Sequence, residues 1–429
     1  MNNTTTPPNS GFYGLGIAPK LLEILDRAQF TVPTPIQEQA IPIAIQGKDL
    51  MGIAQTGTGK TLAFALPMIQ LLQQTKGTGL IITPTRELAL QIEETFQKIG
   101  RPVNVRTAVI IGGASSYHQI QNLKKNPHVI VATPGRLNDL IEQRKVRLEN
   151  TRVLVLDEAD RMLDMGFEPQ IKRILKQLPK ERQTMLFSAT MPGAILKIAN
   201  SYMKLPVRVE IGRAGAAAEN VTQEVFVVKK ENKLRLLESL LKKHEGTALI
   251  FSRTKHGARK IARAVRDMGH TAAEIHSDRT LAQRRAALDG FKKGTYRVLV
   301  ATDIASRGID VKNIELVLNY DLPDNTDDYV HRIGRTGRAG QSGHAISFAT
   351  PDQGRDVREI EKLTRTMLPV SPLPDLPDGR PSSFPSASDS GFNARSRHRS
   401  TPSNGGRRDQ KYLSKQARER RGSHSKRRG

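Results

Sequence analysis

Gln55-Thr56-Gly57-Thr58-Gly59-Lys60-Thr61 gathers two glycines, a lysine and a chelating hydroxyl into seven residues. Gly57 and Gly59 permit a tight turn in which successive backbone N–H groups point at phosphate oxygens. Lys60 adds a point charge for terminal phosphates, and the Thr61 hydroxyl is a ligand suited to Mg²⁺. Ala54 stands where the general phosphate-loop pattern has its first glycine. Downstream, Asp157 and Glu158 follow the apolar run Val153–Leu156. That position suits Asp157 to hold the cation through water and Glu158 to orient or deprotonate an attacking water. Glycine turns and acidic strand ends each occur as plain connectors. In one chain, together, they specify phosphoanhydride hydrolysis.

Such groups must be carried on strand ends, because ligands bind at the carboxyl ends of open parallel sheets. The sequence supplies the strands. Asp49–Ile53 precedes the glycine turn, and GLIITP (79–84), HVIVATP (128–134), RVLVLDEAD (152–160) and TMLFSAT (184–190) follow. Near-continuous apolar runs of this length suit strands covered on both faces, hence a parallel sheet flanked by helices. Ile211–Asn220 is rich in Gly and Ala without apolar periodicity and reads as a linker. The rhythm then resumes with TALIFS (247–252), YRVLVATD (296–303), ELVLNY (315–320) and GHAISFAT (343–350), with helices expected near 256–268 and 283–292. The expected organisation is therefore a polar start (1–10), a first α/β domain (11–209), a linker (210–220), a second α/β domain (221–370) and a tail (371–429).

Charge narrows the partner. The chain carries 67 Lys and Arg against 42 Asp and Glu, a net +25, which favours a polyanion. Residues 371–429 hold fourteen of those basic groups against five acidic ones, among Ser, Pro and Gly, and are expected to be a disordered basic tail. Cysteine is absent, which excludes disulfides, thiolate metal sites and a Cys nucleophile. No signal-peptide pattern opens the chain and no apolar run reaches membrane-spanning length, so a cytoplasmic protein without a membrane partner is expected.

Asp157-Glu158-Ala159-Asp160 spells DEAD, and from Phe12 to about Thr350 the chain resembles a DEAD-box ATP-dependent RNA helicase of bacterial type. The resemblance rests on roughly a dozen ordered motifs and implies two RecA-like domains that share one ATP and Mg²⁺ site. Phe30-Thr31-Val32-Pro33-Thr34-Pro35-Ile36-Gln37 is similar to the adenine-reading motif of that family, with Gln37 on the base and Phe12 stacked on it. A glutamine amide donates and accepts in one plane, as an adenine edge requires. Pro84-Thr85-Arg86, Gly112-Gly113, Thr133-Pro134-Gly135-Arg136, and Thr302 with Arg307-Gly308 match RNA-contacting motifs. Ser188-Ala189-Thr190 resembles the motif that links hydrolysis to strand separation through Asp160 and His331. In His331-Arg332-Ile333-Gly334-Arg335-Thr336-Gly337-Arg338, the resemblance makes Arg335 and Arg338 arginine fingers, and it puts Asp310 on the ribose. A guanidinium there stabilises charge that builds on transferring phosphate. Gln29, Ser277, Ser306 and Leu281 depart from the family's usual Gly, Gly, Ala and Gln.

The implied function is RNA-stimulated ATP hydrolysis coupled to local unwinding of RNA duplexes or remodelling of ribosomal or messenger ribonucleoprotein. A DNA translocase would share the phosphate loop and arginines, but not the DEAD spelling and adenine motif. A clamp without hydrolysis predicts damage at Lys60, Glu158 or Arg338, and all three are intact. Annealing of RNA through the basic tail is compatible with helicase activity.

Overall fold

The computed structural model describes residues 11–55, 57–211, 221–303, 311, 314–337 and 342–376. Within them the apolar runs become two wholly parallel sheets. The first contains β1 (Leu50–Ile53), β2 (Thr78–Ile82), β3 (Thr107–Ile110), β4 (Val129–Ala132), β5 (Thr151–Leu156), β6 (Gln183–Ser188) and β7 (Val207–Glu210), in spatial order β3-β4-β2-β5-β6-β1-β7. The second contains β8 (Val221–Val227), β9 (Ala248–Phe251), β10 (Ala272–Ile275), β11 (Val298–Ala301), β12 (Leu316–Asn319) and β13 (Gly343–Ala349), in order β10-β11-β9-β12-β13-β8.

Strand alternation sends successive side chains to opposite faces. Val153 and Val155 of β5 enter the core layer under the helices Pro35–Ile45, Lys60–Gln74 and Arg86–Ile99, whereas Leu154 and Leu156 enter the layer on the other face. Each such buried side chain contributes about 1.5–3 kcal/mol. Both sheets are covered twice, which is why their interior strands need no polar face. No helix among the described residues is long and apolar enough to cross a membrane.

The nine runs read from sequence are the nine interior strands. β3, β7, β8 and β10, which have no such run, are the four sheet edges. Past the expected boundary at 371 the chain still follows the edge strand β8. The Val225 N–H donates to Pro369 O and the Ser371 N–H to Val225 O, both at 2.9 Å, and Leu376 rests on the second domain's core.

Candidate active site and nucleic-acid interface

The helix Pro19–Arg27 ends in a Schellman cap. The Phe30 N–H donates to Leu25 O at 2.9 Å and the Gln29 N–H to Asp26 O at 3.0 Å, with Gln29 at φ 60°. The left-handed residue explains glycine's usual place there. Gln29 is the exception, and its cap turns Phe30 onto the first domain's core. Four residues later Thr34 begins the helix Pro35–Ile45, and Gln37 Oε1 accepts the Thr34 N–H at 2.9 Å. Gln37 Nε2 donates to Gly59 O at 2.9 Å. The amide is 3% exposed and ties the candidate adenine motif to the phosphate loop. Phe12, expected to stack on the base, is 3% exposed and lies within the first domain's core.

β1 delivers the phosphate loop, and the Ala54 N–H donates to Ser188 O at 3.0 Å. Gly57 and Gly59 lie at φ 86° and 91°, where glycine alone is unstrained. A Cβ at Gly59 would stand 2.3 Å from Gln37 Nε2, so close approach also demands glycine. Thr58 Oγ1 donates to Gln55 O at 2.7 Å. Lys60 opens the helix Lys60–Gln74, and its buried ammonium donates to Ala54 O at 2.7 Å. Thr61 follows in the same first turn, half-buried. Thr56 lies outside the described residues.

β5 ends beside this loop. Asp157 is 2% exposed, and burial pushes its carboxyl up to about 7; the Lys60 charge opposes that shift and Glu158 adds to it. Its Oδ1 accepts the Glu158 N–H at 3.0 Å. Glu158 is held at φ 51°, a strained conformation for a side-chain-bearing residue. Its buried Oε2 has no hydrogen-bond partner and lies 3.8 Å from Arg161 Nε. Asp160 Oδ2 accepts from the Ala189 N–H (3.0 Å), the Thr190 N–H (2.8 Å) and Thr190 Oγ1 (3.1 Å), while the Asp160 N–H donates to Ser188 Oγ at 3.1 Å. The acidic motif and Ser188-Ala189-Thr190 are thus one hydrogen-bonded unit.

The second domain meets this unit through the helix Thr326–Ile333. Asp328 Oδ1 lies 3.9 Å from Arg161 Nη1. A carbon added at Gly334 would stand 4.0 Å from Gln55 Oε1, so the turn beyond the helix faces the phosphate loop. His331 and Arg335 are both buried there. Asp310 and Arg338 fall outside the described residues. Sequence spacing gives Arg332 no part, yet it anchors the turn. Its guanidinium donates twice to Asp303, at 2.6 and 2.7 Å, once to Asn319 Oδ1 at 3.1 Å and once to Asp321 O at 2.6 Å. Arg161 was likewise invisible, because its partner Asp328 is remote in sequence.

Three helices begin side by side at the carboxyl ends of the neighbouring strands β3, β4 and β2. They are Ser116–Lys124, Pro134–Glu142 and Arg86–Ile99, which bring together Pro84, Thr85, Arg86, Gly113, Thr133, Pro134, Gly135 and Arg136. Thr85 Oγ1 caps the third by accepting the Leu88 N–H at 3.2 Å. The Arg86 guanidinium lies over the glycine pair: a Cβ at Gly113, φ 70°, would stand 2.2 Å from its Nη1. Arg136 Nη2 donates to Ser116 Oγ at 2.6 Å. Adjacent helix N-termini and two guanidiniums form a surface for anions. In the second domain Thr302 is buried at the end of β11, and Arg307 and Gly308 lie outside the described residues.

The domains also meet helix to helix. Arg284 Nη2 lies 2.8 Å from Glu87 Oε1, each side chain 9% exposed, and Arg285 lies 3.6 Å from Glu94.

A doubly covered parallel sheet with a glycine loop after β1 and an acidic pair after β5 defines a P-loop nucleotide hydrolase, here with a second domain of the same architecture. Comparison with known proteins makes the assignment specific. The family model for the DEAD/DEAH box helicase matches residues 34–198, and that for the helicase conserved C-terminal domain matches 232–340. The ATP-dependent rRNA helicase RRP3 of Debaryomyces hansenii is 42% identical over 367 residues, covering 85% of this chain and 77% of that one. The ATP-dependent RNA helicase CshA of Listeria monocytogenes is 44% identical over 360 residues, covering 83% and 69%. S. cerevisiae Dbp5 bound to RNA and ADP BeF3 superimposes with a TM-score of 0.78 at 31% identity, covering 85% and 96%. The chain belongs to the DEAD-box family and is an ATP-dependent RNA helicase.

Proposed function

We propose that this helicase hydrolyses ATP at a site built from both domains, and that RNA held along the helix N-termini completes it. One observation carries the reading: the turn of Gly334 and Arg335 faces Gln55 of the phosphate loop, while Arg161, in the helix that follows Glu158, meets Asp328. These two approaches of the second domain to the phosphate loop and to the helix after Glu158 support a site shared by both domains.

In this reading Phe30, Gln37 and Phe12 select adenine, with Phe12 swinging from the core. Gln55, Thr56, Gly57, Thr58, Gly59 and Lys60 cradle the phosphates, and Asp310 meets the ribose. The residues fit a magnesium nucleotide. Lys60 already satisfies a backbone oxygen where phosphate oxygens compete for it, and Glu158 keeps a buried carboxylate oxygen without a hydrogen-bond partner. Thr61 and Asp157 would hold Mg²⁺, which supplies charge neutralisation on the phosphates when bound. Glu158 takes the proton of the attacking water, and Arg335 and Arg338 stabilise the charge that develops. Asp160, Ser188, Thr190 and His331 relay the change between nucleotide and RNA. The RNA-contacting groups Pro84, Thr85, Arg86, Gly113, Thr133, Pro134, Gly135 and Arg136 of the first domain and Thr302, Arg307 and Gly308 of the second read backbone rather than sequence. Closure bends one strand and parts a short duplex, and in the cytoplasm the targets are structured RNA or ribonucleoprotein. The folded parts in this scheme are 11–209 and 221–370, joined by 210–220.

Purified Lys60→Ala and Glu158→Gln test it. RNA-stimulated ATP turnover collapses in both, by about 10²-fold or more, while Glu158→Gln retains ATP-dependent RNA binding because it loses a base and not the cradle. Parent-like turnover in Glu158→Gln would remove Glu158 from its role.

A further inference from the structure

Leu281 stands where the family's usual residue is glutamine, and it has no part in the chemistry above. It opens the helix Leu281–Lys292 behind a cap in which Thr280 Oγ1 accepts the Gln283 N–H at 3.2 Å. Its side chain is half-buried, and the surface that buries it belongs to the other domain: it packs on the first domain's core cluster, as Leu90 and Val109 do. Leu281, Ala282 and Arg285 form one wall of a cleft of about 360 Å³ whose other wall is Leu90, Val109, Ile111, Ala114 and Gln119. On a helix, residues 281, 284 and 285 share a face. That face meets residues 87, 90 and 94 of the helix Arg86–Ile99, and its polar members pair as Arg284 with Glu87 and Arg285 with Glu94. Leu281 is its apolar member.

We propose that Leu281 is a positioning residue for domain closure, an apolar latch that packs on the first domain's core across the cleft from Leu90 and Val109. It does two things that a glutamine there would not. It removes apolar surface from water only when the domains meet, so its contribution belongs to the closed state alone. It also shuts water away from the neighbouring Arg284–Glu87 pair, whose attraction strengthens as the local dielectric falls. Glu87 directly follows Arg86, which lies over the glycine pair of the anion surface. An anion drawn to Arg86 therefore orders the helix start that receives the latch. The inference rests on the reading that RNA draws the two domains together.

The test uses the full chain with a donor and acceptor dye on the two domains, a non-hydrolysable ATP analogue and single-stranded RNA. Leu281→Ala should raise the RNA concentration for half-maximal ATPase about fivefold and lower the closed population, with kcat at saturating RNA within about twofold of the parent. Leu281→Met should restore both, and Tm should be unchanged in either variant. A cycle of Leu281→Ala with Leu90→Ala should be non-additive in the half-maximal RNA concentration. Leu281→Gln closing as well as the parent, additivity in the cycle, or an activity loss that tracks a fall in Tm would each overturn the latch. A parent protein whose ATPase ignores RNA would instead overturn the functional reading beneath it.

Discussion

Asp157 shows how far one residue's environment departs from what its type suggests. The carboxyl is pushed up to about 7, chiefly by burial, with Glu158 and Asp160 adding to the rise and Lys60 opposing it. The folded chain therefore keeps a proton that the unfolded chain releases above about pH 4. Where the folded state binds more protons than the unfolded one, stability falls as pH rises, here across the window from about 4 to 7. Asp157→Asn is neutral throughout and preserves a side-chain oxygen for the Glu158 N–H. Its thermal unfolding in EDTA without nucleotide should exceed the parent's by a margin that grows between about pH 5 and pH 8. A margin independent of pH would mean that the buried charge is relieved in another way. The closeness of Lys60, Asp157 and Glu158 was legible because each stands in a short motif at a strand end. Their partners were less so. The family resemblance puts Gln37 on adenine, but its bond to Gly59 O joins two motifs whose distance only the fold sets. Arg332 sits inside a quoted motif and still escapes notice, because Asp303 and Asn319 are brought to it by different strands.

At the scale of elements, legibility followed burial. Val298–Ala301 and Val129–Ala132 are buried at every position and show as unbroken apolar runs. β7 reads Val-Arg-Val-Glu, with Arg208 and Glu210 exposed. β8 reads Val-Thr-Gln-Glu-Val-Phe-Val, where Thr222 is exposed, Glu224 half-buried and Gln223 buried with its Oε1 accepting from the Tyr329 hydroxyl at 2.9 Å. An edge strand needs no continuous apolar run, so its signal is weak. β10 hides for another reason: its Glu274 is buried yet paired with Arg279, with Arg266 at 3.7 Å. Caps were partly readable. The proline after Thr34 marks a helix start, whereas nothing in Gln29 announces a left-handed residue. That conformation costs a non-glycine residue about 1–2 kcal/mol, and glycine's extra chain entropy offsets about 0.5–1 of it. Gln29→Gly should therefore stabilise the first domain by about 0.5–1 kcal/mol in urea unfolding, leaving ATPase intact. A destabilised variant would show that the Gln29 side chain makes a contact worth more than the strain.

For the whole molecule the question is what holds RNA while the two domains separate and rejoin. In the proposed scheme both domains contribute RNA contacts, so any grip that depends on closure would weaken at each opening. The basic segment at the end of the chain offers a grip that does not. From Gly391 onward thirteen Lys and Arg face only Asp409 and Glu419, with Phe392 and Tyr412 as the aromatic residues. With few rings to stack on bases, phosphate contact dominates, and counterion release sets a slope of about −0.7 per phosphate neutralised on single strands. Where to cut follows from the fold. Composition alone suggests removing everything from Ser371, but Ser371 bonds to β8 and Leu376 rests on the second domain's core, so that cut would expose a sheet edge. Ending the chain after Leu376 leaves the edge covered. This shortened protein should bind RNA more weakly and show a flatter dependence of log affinity on log salt. Its ATP turnover at saturating RNA should match the full chain, because every candidate catalytic group precedes Gly340. Equal affinity and equal slope would assign the segment to solubility alone. Loss of turnover at saturating RNA would mean that it acts on closure, and the dye-labelled protein would then close less in its absence.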